Sequence, residues 1–371
     1  MSEPKRYITS EELKKHKKPG DLWISIQGKV YDVSEWVNHH PGGEHPLLNL
    51  AGQDATDAFV AFHPGTAWQY LDKFFNGFYF EDYSVSDASK DYRKLVYEFS
   101  KMGLFDKKGI SIEWWKWNHN SHHIACNSLD YDPDLQHLPF FAVSSKLFSS
   151  ITSYFYDRKL NFDSFARFLV SNQHFTFYPV MCFARINLWA QSFILLFSDR
   201  KVPNRIQEIF GLLVFWIWYP LLVSCLPSWS ERLMFVIASF TVCGIQHVQF
   251  CLNHFSSSVY FGPPKGNDWF EKQTNGTLGI KCSSWMDWFH GGLQFQVEHH
   301  LFPRLPRCHL RKISPFVKEL CKKHGLPYNC ASFWEANVMT VATLKNAAMQ
   351  ARDFTKPVPR NLVWEAVNTH G

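Results

Sequence analysis

Two histidine clusters share one internal spacing: His119, His122 and His123 in the first, and Gln296, His299 and His300 in the second. On a helix, positions i, i+3 and i+4 lie on one face, so each cluster turns its side chains toward a common point, with Gln296 in the slot that His119 fills in the first. Imidazole suits iron and zinc alike, but zinc sites usually stop at four ligands, and the five histidines exceed that. The number favours two metals. Because the spacing is not His-Glu-x-x-His, a zinc protease with a glutamate base is poorly supported. His254, in Leu252-Asn253-His254 at the end of an apolar run, is a further candidate ligand. His290 is a weaker one, and His137, His174 and His247 read as structural. A separate pair, His40-Pro41-Gly42-Gly43 and His63-Pro64-Gly65, sets each histidine where glycine lets the backbone approach something flat.

The elements that must position these residues differ along the chain. Residues 7–83 mix short strand-like runs, Leu22–Ile26 and Lys29–Val33 turned at Gln27-Gly28, with helical pieces starting near Ser10 and Asp54, which predicts a small α+β module. Residues 84–113 carry Asp87, Lys90, Asp91, Arg93, Lys94, Glu98, Lys101, Asp106, Lys107, Lys108 and Glu113, and read as an exposed helix plus linker. Beyond them the chain turns apolar: 15 of the 18 residues from Ile209 to Leu226 are hydrophobic and none is charged, and Leu233–Leu252 is a second uncharged run. Both are long enough to span a bilayer. The six residues Pro227–Arg232 between them allow only a tight hairpin, so both ends of the pair emerge on one face. Arg200, Lys201 and Arg205 suggest that this face is cytosolic. Residues 168–198, interrupted by Arg185 and Asn187, and Leu138–Phe155 read as segments lying in or dipping into the interface. Trp216, Trp218, Tyr219 and Trp229 read as belt and packing residues.

Composition narrows the class. The mean hydropathy of −0.22 averages a charged N-terminal third with an apolar middle, and a formal charge of +5 over 371 residues makes no case for nucleic acid. All nine cysteines lie at or after Cys126 with no C-x-x-C, which implies reduced, cytosol-facing chemistry. The N-terminus has no apolar signal segment and is expected to start in the cytosol.

The stretch Asp32-Val33-Ser34-Glu35-Trp36-Val37-Asn38-His39-His40-Pro41-Gly42-Gly43 resembles the haem-binding signature of cytochrome b5, and the resemblance covers the whole 7–83 module. It implies a haem b with His40 and His63 as axial ligands and His39 as an outward neighbour. With both axial positions filled by protein, such a haem carries electrons rather than oxygen. The second half, from 114 to 371, resembles the all-α integral membrane desaturases that act on fatty acyl and sphingolipid chains, of the front-end type with a fused N-terminal cytochrome b5. The residues that carry this are Trp114–His123 and Trp288–Pro303, and glutamine at 296 is typical of the subgroup. Ile124–His137 looks more like the plant sphingolipid delta-8 desaturases than the acyl-lipid delta-6 enzymes.

What this resemblance implies is O2-dependent insertion of a double bond into the long-chain base of a ceramide, at the endoplasmic reticulum membrane with haem and histidine boxes on the cytosolic side. A di-iron centre of non-haem iron on His119, His122, His123, His299, His300, Gln296 and His254 would do the chemistry. Electrons would come from NADH-cytochrome b5 reductase, since no G-x-G-x-x-G follows a strand in this chain. Two other classes stay open: an acyl-lipid front-end desaturase or hydroxylase, and a membrane-bound b5 electron carrier without desaturase activity. The third is serious because the family's first histidine box, His-Asp-x-x-His, and its first membrane hairpin have no counterpart here. At Lys107–Ile112 the chain passes from the linker straight to the approach of the second box, so the domain is expected to be incomplete and its activity low.

Overall fold

The computed structural model describes residues 5–80, 84–105, 113–200, 202, 204–264 and 269–354. The Lys107–Ile112 junction lies outside the described residues. The chain folds as two compact units, one made of residues 1–109, 120–132 and 257–335 and the other of 110–119, 133–256 and 336–371.

In the first unit, β1 (Tyr7–Ile8), β2 (Lys17–Lys18), β3 (Asp21–Ile26), β4 (Lys29–Asp32) and β5 (Phe75–Tyr79) form one sheet in the order β1-β5-β4-β3-β2. The β3–β4 hairpin turns at Gln27-Gly28, both with positive φ, as the sequence predicts. Two short helices, α1 (His45–Asn49) and α2 (Thr56–Phe62), follow, and His63 caps the end of α2 in an extended conformation.

Helix α3 (Asp87–Lys101) is capped by Ser86, whose Oγ accepts from Ser89 N. It exists where the charge-rich segment predicts one, but it is not exposed throughout. Tyr92, Val96 and Phe99, spaced i, i+4, i+7, are buried. Tyr92 Oη donates to Leu301 O at 2.8 Å, Phe99 packs on Phe302 at 5.1 Å, and Arg93 Nε meets Asp57 Oδ1 at 2.5 Å. Burying each aromatic stabilises by roughly 1.5–3 kcal/mol, more than the surface charges of the same helix contribute. The core of the module therefore runs without a break from Leu22, Ile24 and Ala58 through Tyr92 and Phe99 to Val297, Leu301 and Phe302.

Among the described residues, the second unit holds three helices long and apolar enough to cross a membrane: α5 (Gln173–Leu196), α6 (Arg205–Ser224) and α7 (Trp229–Leu252). Two were expected. Helix α5 is the addition: Arg185 and Asn187 do not interrupt it, because Arg185 lies over the Trp189 ring and Asn187 Oδ1 accepts from Gln191 Nε2 one turn on. Ser228 and Glu231 form a capping box that starts α7, so the turn after α6 is tight. Gly244 is where α7 meets α5, since a Cβ there would sit 2.8 Å from Cys182 Cα. Leu138–Phe155 folds as short turns with Leu147 and Phe148 buried, and Phe148 stacks on Phe162 at 4.2 Å.

Candidate functional site

Helix α4 (Glu113–Ala125) carries the first cluster and α9 (Gln296–Leu301) the second; between them in sequence lies α8 (Trp269–Gly276). His122, His123, His299, His300 and Gln296 are all buried. His122 Nε2 lies 3.3 Å from His300 Nε2, and the rings of His123 and His299 meet edge to face at 4.8 Å. One ligand atom each from His122, Cys126 and His300 falls within a 4.8 Å group, and so does one each from His123 and His299. The spacing argument that paired the clusters is thereby realised in space.

Two residues that the sequence did not single out hold these rings. Asp132 Oδ1 accepts from His122 Nδ1 at 2.8 Å while its Oδ2 accepts from Asn127 N at 2.7 Å, and all three residues are buried. Asn127 takes the left-handed conformation (φ 65°) that aims this N–H, which asparagine tolerates. Gln273 on α8 donates from Nε2 to His123 O at 2.9 Å, so its Oε1 is the acceptor for His300 Nδ1 at 2.8 Å. Both His122 and His300 therefore carry their proton on Nδ1. Their Nε2 atoms face each other at 3.3 Å. Two imidazole nitrogens each about 2.1 Å from one metal ion lie 3–4 Å apart, so the donors fit a metal of the kind that imidazole binds. Burial above all, and then the nearby Arg307 guanidinium, pushes His299 down to about 3, which keeps it neutral as a ligand must be.

The remaining candidates sit on the second unit. His119 lies on α4 one turn before His122 and stacks on Trp115 at 5.3 Å. His254, just past α7, is buried on the wall of a cavity of about 590 Å³. That cavity is lined mainly by apolar groups such as Phe141, Met181, Ile194 and Phe255, with Asn187 and Asp134 among its few polar ones. His137 and His247, read as structural, also line it.

In the 7–80 module the His40 and His63 rings stand 5.8 Å apart, centroid to centroid. Each has Nδ1 tied to a carbonyl, His40 to Gly43 O at 2.7 Å and His63 to Phe59 O at 3.1 Å, which leaves Nε2 as the nitrogen that would bind a metal. A Cβ at Gly42 would lie 2.9 Å from His40 Cε1, which explains the glycine. Burial above all, and then the His40 charge, lowers His63 to about 4. Facing imidazoles at this separation fit a haem iron with two histidine ligands.

Comparison with known proteins agrees with this geometry. Residues 104–332 match the family model described as fatty acid desaturase, and residues 9–79 match the cytochrome b5-like heme/steroid binding domain. The chain is 60% identical over 443 residues to Delta(8)-fatty-acid desaturase 2 of Arabidopsis thaliana, and 59% identical over 443 residues to Acyl-lipid (9-3)-desaturase of Borago officinalis, with 99% of each chain covered in both cases. It is 40% identical over 253 residues to Delta 8-(E)-sphingolipid desaturase of Emericella nidulans, covering 66% of this chain and 46% of that protein. An alignment of 443 positions on a chain of 371 leaves at least 72 positions at which only the relative has a residue.

Proposed function

Because this chain belongs to the fatty acid desaturase family and carries a fused cytochrome b5-like domain, we propose that it is built to desaturate the long-chain base of a sphingolipid at the delta-8 position, in a form shortened before its second histidine box. The family requires an electron donor, a lipid substrate and O2, and the three apolar helices fit a membrane protein. The single observation that carries the metal reading is the facing Nε2 pair of His122 and His300, each with Nδ1 committed elsewhere.

His40 and His63 would hold the haem, and His119, His122, His123, His299, His300 and His254, with Gln296, would hold the non-haem iron. Asp132 and Gln273 fix which nitrogen of His122 and His300 faces the metal. When bound, reduced iron with O2 supplies an oxidant strong enough to break an unactivated C–H bond, which no side-chain acid or base can do. The cavity beside His254 takes the hydrocarbon chain and keeps water from it, since Phe141, Met181, Ile194 and Phe255 offer nothing to hydrogen-bond. Electrons reach the haem from NADH-cytochrome b5 reductase.

The same pair argues for two crossings. If the chain crossed the membrane three times between His122 and His300, the two would lie on opposite faces. Helix α6 is apolar on every side from Ile209 onward and has no polar face on which to lie in an interface, so it crosses with α7 as a hairpin. In this reading α5, which carries Arg185, Asn187 and Gln191, lies in the interface or dips into it. The boxes and haem then share the cytosolic face of the endoplasmic reticulum membrane.

The substrate is the finer part of the proposal. Relatives named for delta-8 and for acyl-lipid desaturation match almost equally well, so it is the Ile124–His137 stretch that favours the sphingoid base over an acyl lipid. The shortening rests on the absent first box and the 72 positions without a counterpart. In a yeast lacking the activity, the chain with a box-one hairpin restored is expected to yield delta-8 unsaturated long-chain bases and leave fatty acyl chains unaltered. New delta-6 fatty acids with unchanged sphingoid bases would overturn the substrate.

A further inference from the structure

We propose that Phe62 is the bridge over which an electron passes from the haem on His40 and His63 to the metal on His123, an inference that rests on the two ligand sets just proposed. Phe62 is the last residue of α2 and is bonded through one peptide to His63. Its ring meets His123 edge to face, centroids 5.9 Å apart at 82°, and meets Trp269 in the same way at 6.1 Å. Three residues earlier Phe59 stacks on His63 at 4.3 Å and accepts its Nδ1–H, so α2 secures the axial ligand with one aromatic and reaches the histidine box with the next.

The contact is braced. Arg304, which follows the second box, donates from Nε to Ala61 O at 3.0 Å, while its guanidinium lies over the Phe105 ring at 4.6 Å. On the other axial side the backbone of Gly42 comes close enough to α4 that a Cβ there would stand 3.6 Å from Asn120 Nδ2. Both ligand loops thus come close to the first-box helix, and the His63 side does so with an aromatic ring against a box histidine. Electronic coupling falls steeply across empty space and slowly through bonds and touching atoms, and one residue spans this gap with both.

The step is a bare electron transfer. Ferrous haem gives up one electron and becomes ferric, and the oxidised metal at the histidine cluster takes it. No bond breaks and no proton moves, because Phe62 has nothing to titrate and serves as a medium without being oxidised itself.

A test needs a one-electron acceptor at the cluster, and cupric ion serves because imidazole sites bind it strongly among divalent metals. The full chain carrying haem is reduced without oxygen, mixed with one equivalent of cupric ion, and the haem absorbance followed by stopped flow, with bound copper assayed afterwards. The phase independent of protein concentration should slow in the order Phe62, Phe62→Leu, Phe62→Val, Phe62→Ala, by several-fold at the end. The haem midpoint potential and the bound copper should stay the same throughout. The valine step carries the test if the alanine variant fails to fold. A rate that stays flat across the series with copper bound overturns the bridge and leaves the metal site standing. A native chain that binds no copper overturns the metal site, and the bridge with it.

Discussion

Replacing Asp132 by asparagine keeps the side chain's shape and removes its charge, and the consequence follows from the two donors it serves. His122 Nδ1 and Asn127 N each need an acceptor, at 2.8 and 2.7 Å, in a fully buried place. An amide offers one oxygen and one NH2 group. If the oxygen faces His122, the Asn127 N–H points at two hydrogens, and the unsatisfied donor costs the fold about 1–3 kcal/mol. If it faces Asn127, His122 must accept at Nδ1 and carry its proton on Nε2, where the metal should bind. Loss of such an outer partner usually lowers metal affinity by about 10–100-fold, or roughly 1.4–2.7 kcal/mol. Titrating cobalt or ferrous ion into Asp132→Asn against a competing chelator reads this directly, with haem content as the internal control for folding. An affinity and a melting temperature both equal to those of the native chain, at equal haem content, would show that Asp132 does not set the proton of His122.

Further outcomes follow from the same geometry. Two irons preferring six ligands need about twelve positions less those shared or filled by water, so the purified chain should hold close to one haem but clearly fewer than two non-haem irons and show little desaturation; a box-one hairpin inserted between Gly109 and Ile110 should restore turnover, and full activity without it would refute the ligand count. His63→Ala should abolish the low-spin six-coordinate haem spectrum, and an unchanged spectrum would remove His63 from the site. With its value lowered from 6.5 to about 4, His63 stays neutral in the fold while the unfolded residue takes up a proton, so the stability it contributes is full above about pH 6.5 and is lost as pH falls toward 4. The melting temperature of the haem-free chain should accordingly fall as pH drops from 6.5 toward 4, and a profile without that fall in which His63→Ala behaves identically would mean that His63 is solvated. Gly244→Val should destabilise the α5–α7 contact by about 1–3 kcal/mol, because the new Cβ meets Cys182 backbone that cannot move aside; an unchanged melting temperature in detergent would refute that packing.

The parts legible in the sequence are those written in spacing. The two clusters announce themselves through i, i+3, i+4, the haem loops through histidine beside glycine, and α6 and α7 through unbroken hydrophobicity. Asp132 and Gln273 have no such signature, since each acts through hydrogen bonds to residues distant in sequence or on other elements, and neither recurs with a period. Helix α3 was read as exposed because Tyr92, Val96 and Phe99 are diluted by charged neighbours, though their spacing marks a buried stripe. Residues 168–198 read as an interfacial segment because of Arg185 and Asn187, whose partners one turn away, Trp189 and Gln191, are visible only once the helix is built.

The unbroken core that joins the sheet of the 7–80 module to the segment of the second box has a bearing on how this chain can be taken apart. The two family matches leave residues 80–103 between them, but a cut at residue 83 would bare Leu50, Ala58, Ala61 and Phe62 on one fragment and Tyr92, Phe99 and Phe302 on the other. The severed haem piece should be sticky and prone to self-association. A transplanted cytochrome b5 from elsewhere would bring its own surface to a place shaped for this one. Chimeras that keep residues 56–62 and 87–101 together with the second box should express well, whereas those spliced at the apparent boundary should aggregate even with both halves correctly folded.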